Sequence, residues 1–274
     1  MLKLMLVSSD KNNISEAEKA GVDRIFLDLE YIGKSERQFG RNTYFTHNTI
    51  DDVKVVRRWV KKAEYVVRVN PINPNSKTEI DKVIEGGADI VMLPMVIDAE
   101  DVSKFVDYVG GRAKTMPMIE TAPAMVRLDE LISVGGIDEF YIGLNDLNIS
   151  LGTTFMFESL SGGLIDFMAE KIKAANIKFG FGGIAKIGEG LLPSEYIIGE
   201  HYRLGSSCVI LSRTFRNELV PDSEKVDIVK EVGKIRLREN EISNWSKADF
   251  DRNKEAVREK VELILKNINS KKGY

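Results

Sequence analysis

Lys114-Thr-Met-Pro-Met-Ile-Glu-Thr121 and Glu139-Phe-Tyr-Ile-Gly-Leu-Asn-Asp146 decide the fold. Each is a short, mostly apolar run that closes on a carboxylate, Glu120 in the first and Asp146 in the second. Parallel strands are covered by helices on both faces, so they read as near-continuous apolar runs rather than as alternating ones. A carboxylate at the end of such a run emerges where the strand leaves the core. In an α/β barrel that rim is the face that carries the active site.

Working outward, runs of the same kind recur at about 2–8, 24–29, 65–70, 89–94, 177–182 and 206–212, which brings the number to the eight strands of a (β/α)8 TIM barrel. Between them lie segments with apolar positions every three or four residues. Asp51-Asp-Val-Lys-Val-Val-Arg-Arg-Trp-Val-Lys-Lys62 and Lys77-Thr-Glu-Ile-Asp-Lys-Val-Ile-Glu85 are two of these. Strand and helix in alternation demand parallel strands with helical crossovers. Ala20-Gly-Val-Asp23, Gly86-Gly-Ala-Asp89 and Gly135-Gly-Ile-Asp138 punctuate three of the joints, because glycine accepts the left-handed backbone that ends a helix.

A chain of 274 residues is ordinary for one such barrel. The core is expected over residues 1–221, and 222–274 forms a charged helical segment of the same domain. That segment includes Glu255-Ala-Val-Arg-Glu-Lys-Val-Glu-Leu-Ile-Leu-Lys266. One of its helices would close the barrel. The remainder would either pack on its own chain or dock on another subunit through Trp245, Phe250, Val257 and Leu263, as part of an expected homo-oligomer.

A net charge of -3 and a pI near 5.7 give no electrostatic reason to expect nucleic acid. The opening run Met1-Leu-Lys-Leu-Met-Leu-Val-Ser-Ser9 is too short to span a membrane and reads as the first strand, so no membrane partner is expected and the compartment is the cytoplasm. Cys208 is the single cysteine and cannot form an intramolecular disulfide. Its apolar surroundings read as those of a packed thiol.

The residues at or just past the strand ends are too polar for packing alone. They are Asp28 and Glu30, Arg68 and Asn70, Pro94, Glu120 and Thr121, Asn145, Asp146 and Asn148, Gly180 to Gly183, and Ser212 and Arg213. Glu120 and Asp146 with further oxygen donors suit a hard cation, Mg2+ or Mn2+; the alternative is a strand-end ion pair or cap. Arg68 sits in the apolar run Tyr65-Val-Val-Arg-Val-Asn-Pro71 and needs a partner, either a substrate carboxylate or an internal pair with Asp28 or Glu30. The glycines near 180–183 would serve an anion or simply let a loop pass close to a ligand. The long connection after the second strand would bring Lys34, Arg37, Arg41 or His47 over the mouth of the barrel, or lie on the surface.

Phe26-Leu-Asp-Leu-Glu30, Val67-Arg-Val-Asn-Pro71, Gly87-Ala-Asp-Ile-Val-Met-Leu-Pro94, Met118-Ile-Glu-Thr121 and Ile142-Gly-Leu-Asn-Asp-Leu-Asn-Ile-Ser-Leu-Gly152 together resemble the HpcH/HpaI aldolase and citrate lyase beta subunit family. The resemblance implies metal ligation by Glu120 and Asp146, with Arg68 holding a substrate carboxylate or enolate oxygen. It further implies a carbon–carbon lyase or aldolase acting on a small carboxylate through a metal-stabilised enolate. On this reading Asn70, Thr121, Asn145, Gly182, Gly183 and Arg213 are expected to contact substrate, while Asp28 and Glu30 are expected to take part in catalysis. The sequence departs from the family at two places. Tyr31 stands where the aldolases carry a histidine, which leaves Asp28, Glu30, His47 or a metal-bound hydroxide as base. Met95 follows Pro94 where citrate lyases often carry lysine. The alternatives are a barrel using phosphoenolpyruvate or a phosphorylated sugar acid, and a catalytically silent barrel that binds a small acid or a partner protein.

Overall fold

In the computed structural model, which describes residues 1–37 and 48–271, eight parallel strands close a barrel in chain order. They are β1 (Lys3–Val7), β2 (Arg24–Asp28), β3 (Glu64–Arg68), β4 (Ile90–Leu93), β5 (Lys114–Ile119), β6 (Glu139–Ile142), β7 (Lys178–Ile184) and β8 (Cys208–Leu211). Closure comes from β1 pairing with β8, Leu4 opposite Val209. The helices follow the strands outside the barrel. After β1 comes α1 (Lys11–Lys19), after β2 come α2 (Lys34–Arg37) and α3 (Ile50–Arg57), and after β3 and β4 come α4 (Ser76–Glu85) and α5 (Ala99–Val109). α6 (Ala122–Val126) and α7 (Leu128–Ser133) follow β5; α8 (Leu144–Leu151), α9 (Glu158–Ser161) and α10 (Leu164–Ala174) follow β6. α11 (Ser194–Leu204) follows β7, and α12 (Ile228–Ile242) and α13 (Lys247–Lys271) end the chain.

The period of two along each strand fixes what the barrel encloses. Leu4, Leu6, Ile25, Leu27, Val67, Ile119 and Ile142 face outward and pack under the helices. Met5, Phe26, Val66, Met92, Met116, Met118, Tyr141 and Cys208 face inward as a second cluster. Continuing the inward positions to both ends of the strands gives two polar layers. At the N-terminal end Arg24 donates to Glu64 at 3.0 Å and to Glu139 at 2.7 Å, and Lys3 and Lys114 reach Glu64 at 2.7 and 2.6 Å. At the C-terminal end the same parity brings in Asp28, Arg68 and Glu120. Cys208 is fully buried within the barrel, and burial pushes its thiol well above the ordinary range, as expected of a packed rather than a reactive thiol.

Three sequence expectations shift. β6 stops at Ile142, so Asp146 lies in the first turn of α8 rather than at a strand end. β7 runs on through Gly182 and Gly183 with a shift of register against β8. The connection after β2 opens with α2, while Arg41 and His47 lie outside the described residues.

At the C-terminus α12 packs beside α1 and α11, in the position of the eighth barrel helix. α13 lies across α11 and α9 of its own chain. Val257 and Val261 are buried there, while Leu263 stays exposed. Asn253 donates to the Tyr196 carbonyl at 3.0 Å and to Glu200 at 2.9 Å, over a helix surface cleared by Gly199. No helix among the described residues is long and apolar enough to cross a membrane.

Candidate active site

Glu120 enters the barrel mouth because it follows Met116 and Met118 on the inward parity of β5. It is 2% exposed, and one carboxylate oxygen accepts the Met95 amide at 2.9 Å. Met95 holds a left-handed φ of 55°, which non-glycine residues seldom adopt; the amide it presents to Glu120 is one use of that strained turn. Just past the neighbouring strand β6, at the N-cap of α8, stands Gly143, and a Cβ there would lie 2.4 Å from the other Glu120 oxygen. The absence of a side chain at Gly143 is thus what lets the carboxylate lie flat against β6. Burial, followed by the nearby charge of Asp146, pushes Glu120 up to about 8, against the pull of Arg68.

Arg68 faces Glu120 from β3. The register pairs it with Asp28 on β2, and its guanidinium grips that carboxylate with two bonds of 2.9 Å while approaching Glu30 at 3.2 Å. Its remaining terminal nitrogen points to the Met118 sulfur at 3.7 Å, at the pocket wall. Lys34 on α2 is buried with its ammonium 2.6 Å from Asp28, and Arg37 reaches Glu30 and lies 3.6 Å from Asp146. Burial alone would raise Asp28, but Arg68 and Lys34 hold it far below the usual carboxylate range. Asp28 and Glu30, expected among the catalytic groups, are therefore engaged in orienting Arg68. A carboxylate in two such ion pairs makes a poor proton acceptor near neutral pH. Tyr31, at the position of the family histidine, is 70% exposed and lines the neighbouring groove instead.

Arg68, Glu120, Asn145, Asp146, Gly182 and Gly183 come together around one pocket of about 240 Å3. Its walls are completed by Met118, Leu144, Met156 and Ile210. Tyr141, also in the lining, is a pocket position the sequence reading missed, because a tyrosine within an apolar strand looks like core. Its hydroxyl donates to the Gly182 carbonyl and accepts the Ile210 amide at 3.0 Å, fixing the β7 bulge that shapes the pocket. Lys34, expected either over the barrel mouth or on the surface, is buried and pairs with Asp28.

Three expected substrate contacts lie elsewhere. Asn70 accepts the Tyr31 and Ile32 amides, each at 3.0 Å, and donates to Glu79 at 2.8 Å, so it holds the loop after β2 and lines a separate groove of about 580 Å3. Thr121 donates to the Val96 carbonyl and caps α6 through the Ala124 amide. Arg213 is exposed in a short 3-10 turn after β8, outside the pocket lining.

The donor chemistry fits a hard divalent cation. Glu120 and Asp146 supply only oxygen, their charges repel across the pocket, and water or a substrate would complete an octahedral shell. Among the described residues no group of three or more His, Cys, Asp or Glu side chains is arranged to hold a metal ion, and Glu120 and Asp146 are the two that would ligate it.

Fold and site together define a parallel (β/α)8 barrel with an acidic, arginine-bearing pocket at the C-terminal ends of its strands. The profile of the HpcH/HpaI aldolase/citrate lyase family matches residues 2–181, and the chain belongs to that family. A lyase-type reaction at a carbon–carbon bond follows from this membership. Among solved structures, an HpcH/HpaI aldolase/citrate lyase family protein from Burkholderia cenocepacia superposes with a TM-score of 0.61 at 14% identity, over 89% of this chain and 95% of its own. The HpcH/HpaI aldolase of Desulfitobacterium hafniense gives 0.57 at 15%, over 77% and 86%. Citrate synthase SbnG gives 0.61 at 16%, over 88% and 94%. At these identities the likeness is one of fold. No curated protein matches the chain in sequence.

Proposed function

We propose that the protein is a Mg2+- or Mn2+-dependent carbon–carbon lyase or aldolase acting on a 2-oxo acid or related acyl carboxylate through an enolate. The observation that carries this reading is that Glu120, Asp146 and Arg68 face one pocket from β5, α8 and β3. A bound divalent cation would supply a Lewis acid that polarises the substrate carbonyl and offsets enolate charge. Arg68, already oriented by Asp28 and Glu30, binds the substrate carboxylate with the edge of its guanidinium turned to the pocket. Asn145 and the backbone at Gly182 and Gly183 border the position of the second reactant. The apolar walls from Met118, Leu144, Met156 and Ile210 exclude water and strengthen each of these charge interactions.

Proton NMR of pyruvate and oxaloacetate in deuterium oxide, with metal-free protein and then with added Mg2+ or Mn2+, tests the reading. Metal-dependent deuterium entry or decarboxylation, lost in Glu120→Gln, is the expected result. Metal-dependent binding of the acids without any exchange would favour a non-catalytic acid-binding barrel, the reading that the ion-paired Asp28 and outward Tyr31 support. No binding at all would overturn the assignment of Glu120 and Asp146.

A further inference from the structure

We propose that Arg37 is an internal counter-ion of the pocket, displaced from Asp146 when a divalent cation binds. The inference rests on the reading of Glu120 and Asp146 as cation ligands. Arg37 ends α2, directly over the barrel mouth, and its guanidinium has three unequal anchors, the weakest hydrogen bond being from Nη1 to the Ile32 carbonyl at 3.4 Å. One terminal nitrogen hydrogen-bonds Glu30, whose side chain is 2% exposed. The Nε lies 3.6 Å from Asp146, within ion-pair range but beyond hydrogen-bond reach. That Nε is buried and has no hydrogen-bond partner among the described residues. A buried guanidinium N–H without an acceptor is an unfavourable arrangement, and on the Asp146 side only charge attraction offsets it. The Asp146 contact is therefore the one that gives way, with Glu30 as the pivot.

Charge balance points the same way. Among the described residues, the site sets the carboxylates of Asp28, Glu30, Glu120 and Asp146 against the cations of Arg68, Lys34 and Arg37. Within this described set the charges nearly balance. A divalent cation sits about 2.0–2.1 Å from its oxygen ligands, and a guanidinium left against the same carboxylate would be strongly repelled. Once the fork has swung aside, the bound cation adds positive charge to the described groups, which an incoming carboxylate would offset. Metal before acid is the binding order this predicts. The Lys34 ammonium, 2.6 Å from Asp28, keeps α2 attached while Arg37 moves.

Mn2+ affinity, read from the electron paramagnetic resonance signal of the free ion, separates the possibilities in the wild type, Arg37→Gln, Arg37→Lys and Asp146→Asn. Arg37→Gln should bind Mn2+ roughly 1.5-fold to fivefold more tightly than wild type, the range for one partly exposed ion pair. Arg37→Lys should fall between them, since lysine keeps the charge but loses the fork that spans both carboxylates. Hydrogen exchange at the amides of residues 32–37 should quicken in the wild type when Mn2+ is added. Equal affinity in wild type and Arg37→Gln, with binding lost in Asp146→Asn, would overturn the exchange and leave the metal reading standing. Tighter binding in Arg37→Gln with Arg37→Lys equal to wild type would mean a long-range charge effect, which also overturns it. No Mn2+ binding by any of the four overturns the metal reading and the exchange together.

Discussion

At the scale of the residue, the decisive position is one without a side chain. Gly143 has φ -83° and ψ 90°, a backbone open to any amino acid, so its importance is steric rather than conformational. Alanine there would place its Cβ 2.4 Å from a Glu120 oxygen and 2.9 Å from the Glu120 Cβ, and Glu120 would have to move. We expect Gly143→Ala to fold, to lose about 1–3 kcal/mol of stability through overpacking, and to weaken Mn2+ binding at least about tenfold by misplacing a ligand that must sit within about 0.5 Å. Circular dichroism with a Mn2+ titration checks both; unchanged affinity would mean that Glu120 does not ligate. Much of the pocket was legible in the sequence at this scale, because a carboxylate closing an apolar run is unusual. Thr121 was misread as a substrate contact although a signal existed. It is out of phase with Met116, Met118 and Glu120, and parity alone sends it outward, where it caps α6. Asn70 carried no such signal, since the chain leaves β3 at Arg68 and the direction of its side chain is set by the loop that it holds.

At the scale of the element, the eight strands were readable because burial on both faces leaves little room for anything but apolar residues. α2 was not readable: four residues are too few to show a helical period. The helicity of the C-terminal segment was plain from its spacing, whereas its docking partner depends on which surface complements it. Val257 and Val261 of α13 are buried against the same chain, with Asn253 bonded to α11 through a surface cleared by Gly199. Truncating one buried valine removes two methyl groups and leaves a small cavity, so Val257→Ala should cost about 2 kcal/mol. Urea unfolding should show a lowered midpoint with an unchanged slope. Because α13 docks within one chain, that midpoint should not depend on protein concentration. A midpoint that rose with concentration would show that unfolding is coupled to association between copies.

At the scale of the whole molecule, the barrel is polar at both ends and apolar between, and the two ends differ in kind. Arg24, Glu64 and Glu139 at the N-terminal end are closed upon one another, whereas Glu120 and Asp146 at the C-terminal end repel each other and leave a cavity between them. The sequence revealed the strand count and this rim, but not the tertiary neighbours that set each group's ionisation. His201 illustrates the point. From its position on a helix it gave no sign of function or strain, yet it is fully buried on α11, stacked on Phe181 at 3.8 Å, with one ring nitrogen 2.8 Å from the Ser206 hydroxyl. The other ring nitrogen is buried without a hydrogen-bond partner among the described residues. Burial lowers its pKa from 6.5 to about 3, so the native protein keeps the ring neutral in conditions where the unfolded chain binds a proton. Its stabilising contribution is complete above pH 6.5 and is lost progressively as pH falls toward 3. By pH 5 this one group should remove about 2 kcal/mol relative to pH 7, since each pH unit within the window is worth about 1.4 kcal/mol. His201→Phe keeps the stacking and removes the titration, so the difference between its stability at pH 7 and at pH 5 should be smaller than that of the wild type by about the same 2 kcal/mol. Denaturant unfolding of both proteins at the two pH values measures this, and equal pH dependence in the two would mean that His201 protonates freely in the folded barrel.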